Sequence, residues 1–280
     1  MSNTDNMSEQ KEFHVIIIGA GITGLVLAQA LKQVSAFFPH SILGMEGVNE
    51  YSNDTDENVK SGISYSIYEK EAQLNYRSNE WTMAIHWSLD HLQKLLPAEL
   101  FAKLPVVSCN PAVPIDAGGN YPIIHAESGN LLAGVPYARG LRVPRSKMRA
   151  LCAEGIDVQY GMNLTNVEFD GSGSALTAIF NDSTQVRGSL VLGSDGPRSS
   201  VRNFAIGNET EASTSKFPIF HTNMTVCYGD ADKARYLRQA FPTSYLALSE
   251  NSYHAFQSSE CSQSEKLCCE LTSAFSFEHA

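Results

Sequence analysis

The chain has no cluster of basic residues: 20 Lys and Arg stand against 30 Asp and Glu in 280 residues, a net charge of −10. Phosphate backbones are held by clustered cations, so this balance predicts no nucleic-acid partner. Paired cysteines are also lacking. Cys109, Cys152, Cys227, Cys261, Cys268 and Cys269 form no C-x-x-C pair and have no flanking His at ligand spacing. No metal site is predicted, and the thiols read as buried or free. The opening "MSNTDNMSEQKEF" has no cationic start followed by an apolar core, which predicts no secretory signal and a cytoplasmic, reducing setting. The apolar run from Val15 to Leu31 falls short of the roughly 20 residues a bilayer requires and is broken by three glycines, so no transmembrane segment is expected. What the chain does have is a 43% hydrophobic composition, ample for one large core or two modest ones.

The informative stretch is "HVIIIGAGITGLVLAQALK", His14 to Lys32. A β-branched run suited to a strand buried on both faces leads into a Leu- and Ala-rich helix. The turn between them is G-A-G-I-T-G. In a dinucleotide-binding unit Gly19 permits the tight turn, Gly21 lets backbone approach a pyrophosphate, and Gly24 lets the helix lie close to the strand. The helix N-terminus then presents unpaired N–H groups to the anion. A glycine-rich turn that binds nothing is the alternative, but the strand-to-helix context favours the ligand.

Such a unit calls for an acidic residue at the end of the next strand, about 20 residues on, to take the ribose. "VSAFFPHSILGMEGVNEYSNDTDENVK" intervenes before the alternating "SGISYSIYEKE", a strand ending at Glu69. Glu69 lies 45 positions after Gly24, and setting aside the 27 residues from Val34 to Lys60 leaves 18. Residues 34–60 therefore read as an insertion. It is either a surface loop, which costs little to close, or a retained intron, the preferred origin because Val34-Ser35 can be encoded by the donor sequence GTAAGT.

Further on, Ile85, Leu89, Leu92 and Leu96 recur at helical spacing before Pro97, predicting a core-facing helix. "LRVPRSKMRALCAEG" predicts a second helix carrying Arg142, Arg145 and Arg149, with a solvated basic face as the alternative. "GSLVLGSDGPRSSVR" is a strand that ends in Gly193-Ser194-Asp195-Gly196. Its Asp can orient a phosphate or hydroxyl, or simply cap the next helix. His86 and His125 read as structural histidines.

Together these motifs resemble the FAD-dependent aromatic hydroxylases, the flavoprotein monooxygenase family of para-hydroxybenzoate hydroxylase, and especially its fungal natural-product members, over about Glu12 to Phe256. The resemblance implies an α/β fold, with a Rossmann-like FAD-binding domain and a partial β-rich substrate domain. It implies that Gly19, Gly21 and Gly24 hold the ADP pyrophosphate and that Glu69 holds the ribose. Arg145 of "RSKMR" would lie against FAD, Asp195 and Gly196 near the pyrophosphate, and the Thr82 backbone of "NEWTMAIHWS" along the flavin. It further implies that NADH or NADPH reduces the flavin and that one oxygen atom of O2 passes to a small aromatic or alkene substrate. The cofactor carries that chemistry, so no catalytic side chain is named.

The expected domains are 12–104 with 141–207 for FAD, and 105–140 with 208–257 for substrate; 258–280 is an unassigned tail. The family's later Gly-Asp pair, which holds the ribityl chain, has no counterpart: Gly229-Asp230 follows Asp195 too closely, and "TVCYGDADKARYLRQAFPTSYLALSENSYHAFQ" reads as strands and a short helix. A shortened, non-catalytic remnant is therefore one alternative. An NAD-dependent dehydrogenase is another, although it would leave "RSKMR" and "GSDGPRSSVR" as coincidences.

Overall fold

The computed structural model describes residues 13–37, 62–76, 80–171, 173–215, 219–228, 230–250, 252–259 and 267–276. In chain order the strands are β1 (Phe13–Ile18), β2 (Ile63–Glu69), β3 (Thr82–Ile85), β4 (Gly119–His125), β5 (Leu131–Tyr137), β6 (Leu141–Pro144), β7 (Val158–Tyr160), β8 (Leu164–Phe169), β9 (Leu176–Phe180), β10 (Gln185–Gly188), β11 (Leu190–Gly193), β12 (Ile219–Tyr228), β13 (Ser244–Leu248), β14 (Ser252–Ser259) and β15 (Leu267–Ser276). The helices are α1 (Ile22–Phe37), α2 (Leu89–Leu95), α3 (Ala98–Phe101), α4 (Arg145–Ala153), α5 (Ser200–Ile206), α6 (Glu209–Ala212) and α7 (Ala231–Ala240). They fall into two compact units, Met1–Leu74 with Gly155–Thr214, and Asn75–Glu154 with Ser215–Ala280.

The first unit is built on a parallel sheet of order β11-β1-β2-β7. Strand β1 is central, and its Val15, Ile16, Ile17 and Ile18 are all buried, as a strand covered on both faces requires. Helix α1 crosses from β1 to β2 and lies against that pair. Because successive side chains alternate across a strand, Ile16 and Ile18 face the other way. There they join Tyr68 in a core with Leu164, Leu176, Ala178 and Phe180 from the antiparallel β8–β9–β10 layer. Tyr68 and Phe180 meet with ring centroids 4.5 Å apart, and burying each such side chain contributes about 1.5–3 kcal/mol.

The second unit holds a six-stranded sheet of order β12-β15-β14-β13-β4-β5 and a separate β3–β6 ribbon. Every pairing in the large sheet is antiparallel except β4 with β13. The whole is the α/β architecture expected, with a Rossmann-like parallel sheet and a β-rich second part.

Residues 75–104 and 141–154 lie in the second compact unit, where β3 and β6 pair with each other. Three expectations need correction. Ile85 closes β3 opposite Leu141, and Arg142 lies within β6, so the two predicted helices begin later, at Leu89 and Arg145. Val34 to Phe37 continue α1, where Ser35 donates its hydroxyl to Ile63 O at 2.5 Å; the rest of the presumed insertion, 38–60, lies outside the described residues. The unassigned tail contains β15, paired with β12 and β14. Its Leu267, Cys269, Leu271 and Phe275 do alternate with Cys268, Glu270 and Thr272, the period of a strand.

Candidate functional site

The first unit brings six of the eight predicted site residues together around the end of β1. Gly19 has φ +100°, a conformation other residues adopt only with strain. A Cβ there would lie 2.5 Å from Ser194 O and 2.7 Å from Asp195 Cα. A Cβ on Gly24 would overlap Gly19 O and stand 2.5 Å from Ser194 Oγ. The fold itself therefore demands glycine at these two positions. Gly21 is different: a Cβ there would meet nothing within 4 Å, so the fold makes no such demand. A glycine whose missing side chain faces open space, at the mouth of a tight turn, fits a close-approaching ligand.

Helix α1 starts immediately beyond. Its ladder begins with Leu25 N–H to Gly21 O at 3.0 Å, so the amides of Gly21, Ile22, Thr23 and Gly24 precede it, as in the first turn of any helix. No acidic residue occupies that turn, and the positive end of the helix dipole is left to an anion.

Glu69 ends β2 with 7% exposure. Its Oε2 accepts the Ala20 amide at 2.8 Å and its Oε1 the Glu71 amide at 3.0 Å, which fixes the carboxylate beside the glycine turn. Asp195 follows β11 and faces the start of α5, whose N-cap is Ser199: Oδ1 accepts from Ser199 Oγ at 2.6 Å, and Oδ2 from Ser200 N at 2.6 Å. The capping role offered as the alternative for Asp195 is thus present in the structure. Gly196 beside it has φ +82°, with open space where a Cβ would be.

Thr82 and Arg145 belong to the second unit. Arg142, only 6% exposed, donates from Nε to Thr82 Oγ1 at 2.7 Å and from a terminal nitrogen to Thr82 O at 3.3 Å. It is not part of a solvated basic face, and neither is Arg149 at 1%. The Arg145 amide bonds to Trp81 O at 2.9 Å, and its guanidinium stands 5.9 Å from the centre of the Trp81 ring. Glu80 accepts the Ser146 amide at 3.1 Å, placing a carboxylate at the start of α4.

Sequence reasoning missed Glu80, the Arg142–Thr82 tie and Ser194. The signal for Ser194 was a lone hydroxyl between the glycine and aspartate that close β11. Gly229 lies outside the described residues; Asp230 caps α7, accepting the amides of Asp232 and Lys233. Those amide bonds hold its carboxyl below the usual carboxylate range.

The two named histidines differ. His125 Nδ1 takes the Ser128 amide in a turn. The His86 ring packs edge-on to Tyr137 at 4.5 Å and leaves no room for a side chain at Gly140. Its buried Nε2 has no hydrogen-bond partner among the described residues. Burial, then the Arg142 charge, push His86 below the ordinary histidine value.

Among the described residues no cluster of His, Cys, Asp or Glu could hold a metal ion, and no helix is long and apolar enough to cross a membrane.

No protein-family model matches the chain. It is 56% identical over 245 residues to the FAD-dependent monooxygenase phnB of Penicillium herquei, covering 88% of this chain and 53% of that protein. To the FAD-dependent monooxygenase dbaB of Emericella nidulans it is 30% identical over 200 residues, 71% of this chain and 44% of the other. The chain thus spans about half the length of the curated relatives it matches. Among solved structures, 2,6-dihydroxypyridine-3-hydroxylase from Arthrobacter nicotinovorans shares the fold with TM-score 0.67 at 15% identity, over 96% of this chain and 58% of that one. An HpxO variant from Klebsiella pneumoniae, complexed with FAD, does so with TM-score 0.58 at 17% identity, over 93% and 57%.

Two predictions follow from this geometry. Gly24→Ala destabilises the chain by about 3 kcal/mol, since backbone must move to admit the methyl, whereas Gly21→Ala changes stability by less than about 1 kcal/mol; urea unfolding of the two variants checks this. For His86 the unfolded chain takes up the proton first as pH falls. The stability that accompanies neutral His86 is complete above about pH 6.5 and is lost as pH drops through that value and the lowered folded one. Stability measured from pH 7.5 down to 5 therefore falls more steeply in the natural chain than in His86→Gln, and equal slopes contradict the assignment.

Proposed function

We propose a function from one premise: the chain belongs to the FAD-dependent monooxygenase family. In this reading the glycine turn of the first unit is the seat of the ADP part of FAD. Gly21 is the observation that carries it, because its open face is the only one of the three glycine requirements in the motif that the fold leaves unexplained. The amides of Gly21 to Gly24 receive the pyrophosphate, and the fixed carboxylate of Glu69 takes the ribose hydroxyls. Asp195 and Gly196 border the pyrophosphate on the β11 side. The resemblance assigns Thr82 and Arg145 to the flavin, and the second unit, in which both lie, is the β-rich substrate layer in this reading.

The residues present fit the dinucleotide by shape and by donor set: amides and a helix N-terminus for the anion, a carboxylate for hydroxyls. FAD, when bound, supplies the redox chemistry between nicotinamide, dioxygen and substrate. The chain binds and orients it. The buried ribbon carrying Thr82 and Arg142 holds a fixed backbone edge, and the Trp81 ring keeps the Arg145 guanidinium in place.

The overall reaction in this reading is that of an oxidoreductase: substrate, O2, NADH or NADPH, and a proton give hydroxylated or epoxidised substrate, water and oxidised nicotinamide. A small aromatic ring or alkene is the substrate class, and fungal secondary metabolism the setting. The fungal sources of the relatives support the setting, and the pyridine ring named for one structural neighbour supports the substrate class.

The test is an absorbance scan of the purified 280-residue chain after incubation with FAD and removal of the excess. The natural chain keeps the visible flavin bands, and Gly21→Ala, folded, loses them. A colourless natural chain contradicts the reading.

A further inference from the structure

We propose that Ser194 is a positioning residue for the cofactor turn, an inference that rests on reading that turn as the FAD seat. Strand β11 ends at Gly193, and the next residue returns to β1 twice. The Ser194 amide donates to Ile18 O at 2.7 Å. Its hydroxyl lies 2.6 Å from Gly19 O and 3.0 Å from Ile18 O, and with one proton to give, the shorter contact to Gly19 O dominates.

That carbonyl and the Ala20 N–H belong to one planar peptide unit and point in opposite directions. On the other side of the plane, the Ala20 N–H donates to Glu69 Oε2 at 2.8 Å. The Gly19–Ala20 peptide is therefore pinned from both ends, by the hydroxyl of Ser194 from β11 and the carboxylate of Glu69 from β2.

This plane immediately precedes Gly21. Its orientation sets the direction in which the chain enters α1, and hence where the amides of Gly21 to Gly24 point. It also sets the distance of the Glu69 carboxylate from the turn. A peptide of this kind, with glycine at positive φ on its first residue, is the part of the turn most free to rotate once one restraint is removed. Hydrogen bonds in such a chain strengthen one another, so Ser194 and Glu69 act on the ligand through a shared element although their own atoms bond to different ends of it. Ser194 also explains part of the demand for glycine at position 24, since its Oγ would stand 2.5 Å from a Cβ there. Ser194 thus touches no reacting atom; it positions the Gly19–Ala20 peptide, from which the binding amides of Gly21 to Gly24 continue.

The test measures FAD affinity by quenching of flavin fluorescence, on the full chain and well below the unfolding temperature. Ser194→Ala binds FAD about five- to tenfold more weakly, the effect of losing one hydrogen bond. Ser194→Cys, which keeps a weaker donor, lies between the two and serves if the alanine variant fails to fold.

The control is Ser64→Ala, which removes a bond at 2.7 Å to His14 in the same sheet, away from the turn. It lowers the unfolding temperature without changing FAD affinity. In a Glu69→Gln background the Ser194→Ala effect shrinks, because one end of the plane is already weakened; a purely structural serine would give the same loss in both backgrounds. Equal FAD affinity for the natural chain, Ser194→Ala and Ser194→Cys overturns the proposal. Failure of the natural chain to bind FAD at all overturns instead the reading on which it rests.

Discussion

The first unit depends on how closely β1 and β11 approach where both strands end. At Gly19 the backbone lies against Ser194 and Asp195 so tightly that no side chain fits, and Gly24 lies equally close to Gly19 and Ser194. Two parallel strands end side by side there, one turning into a helix and the other into a capped short helix. In open α/β sheets ligands bind in that place. The apolar layer beneath, from Ile16 and Ile18 to Tyr68 and Phe180, makes the ends of the strands rigid enough to hold such an approach.

From this constraint the division of labour among the three glycines follows. Gly19 and Gly24 are answers to packing, and the protein needs them with or without a ligand. Gly21 answers nothing inside the protein, which makes it the position where fold and function can be separated. The two carboxylates divide similarly. Glu69 is held by the Ala20 amide of the glycine turn and the Glu71 amide just beyond its own strand, whereas Asp195 gives its oxygens to the start of α5.

Much of this was legible in the sequence because it depends on local chemistry. A β-branched run, a patterned glycine turn and a Leu-rich helix specify a strand, a turn and a helix from neighbouring residues alone, and Glu69 was found by its alternating strand. Where tertiary pairing decides, the local pattern points elsewhere. Ile85 and Arg142 carry helical spacing, but each is claimed by a partner strand more than 50 residues away in the chain, in the β3–β6 ribbon. Burial of the arginines was illegible for the same reason: a cation enters a core only when a distant acceptor such as Thr82 meets it. Strand β15 is faint in the sequence because its small and polar residues give weak amplitude to an alternation that two long neighbours complete. Ser194 looked like a spacer, since nothing local says that its hydroxyl reaches a carbonyl 175 residues back.

Reception of a pyrophosphate by the amides beyond Gly19 is tested most directly by titrating the ¹⁵N-labelled 280-residue chain with ADP and following backbone amide shifts. Saturable shifts are expected at Gly21, Ile22, Thr23, Gly24 and Gly196, with the β8–β9 layer unmoved. Saturating ADP that leaves those amides where they were would contradict that reading.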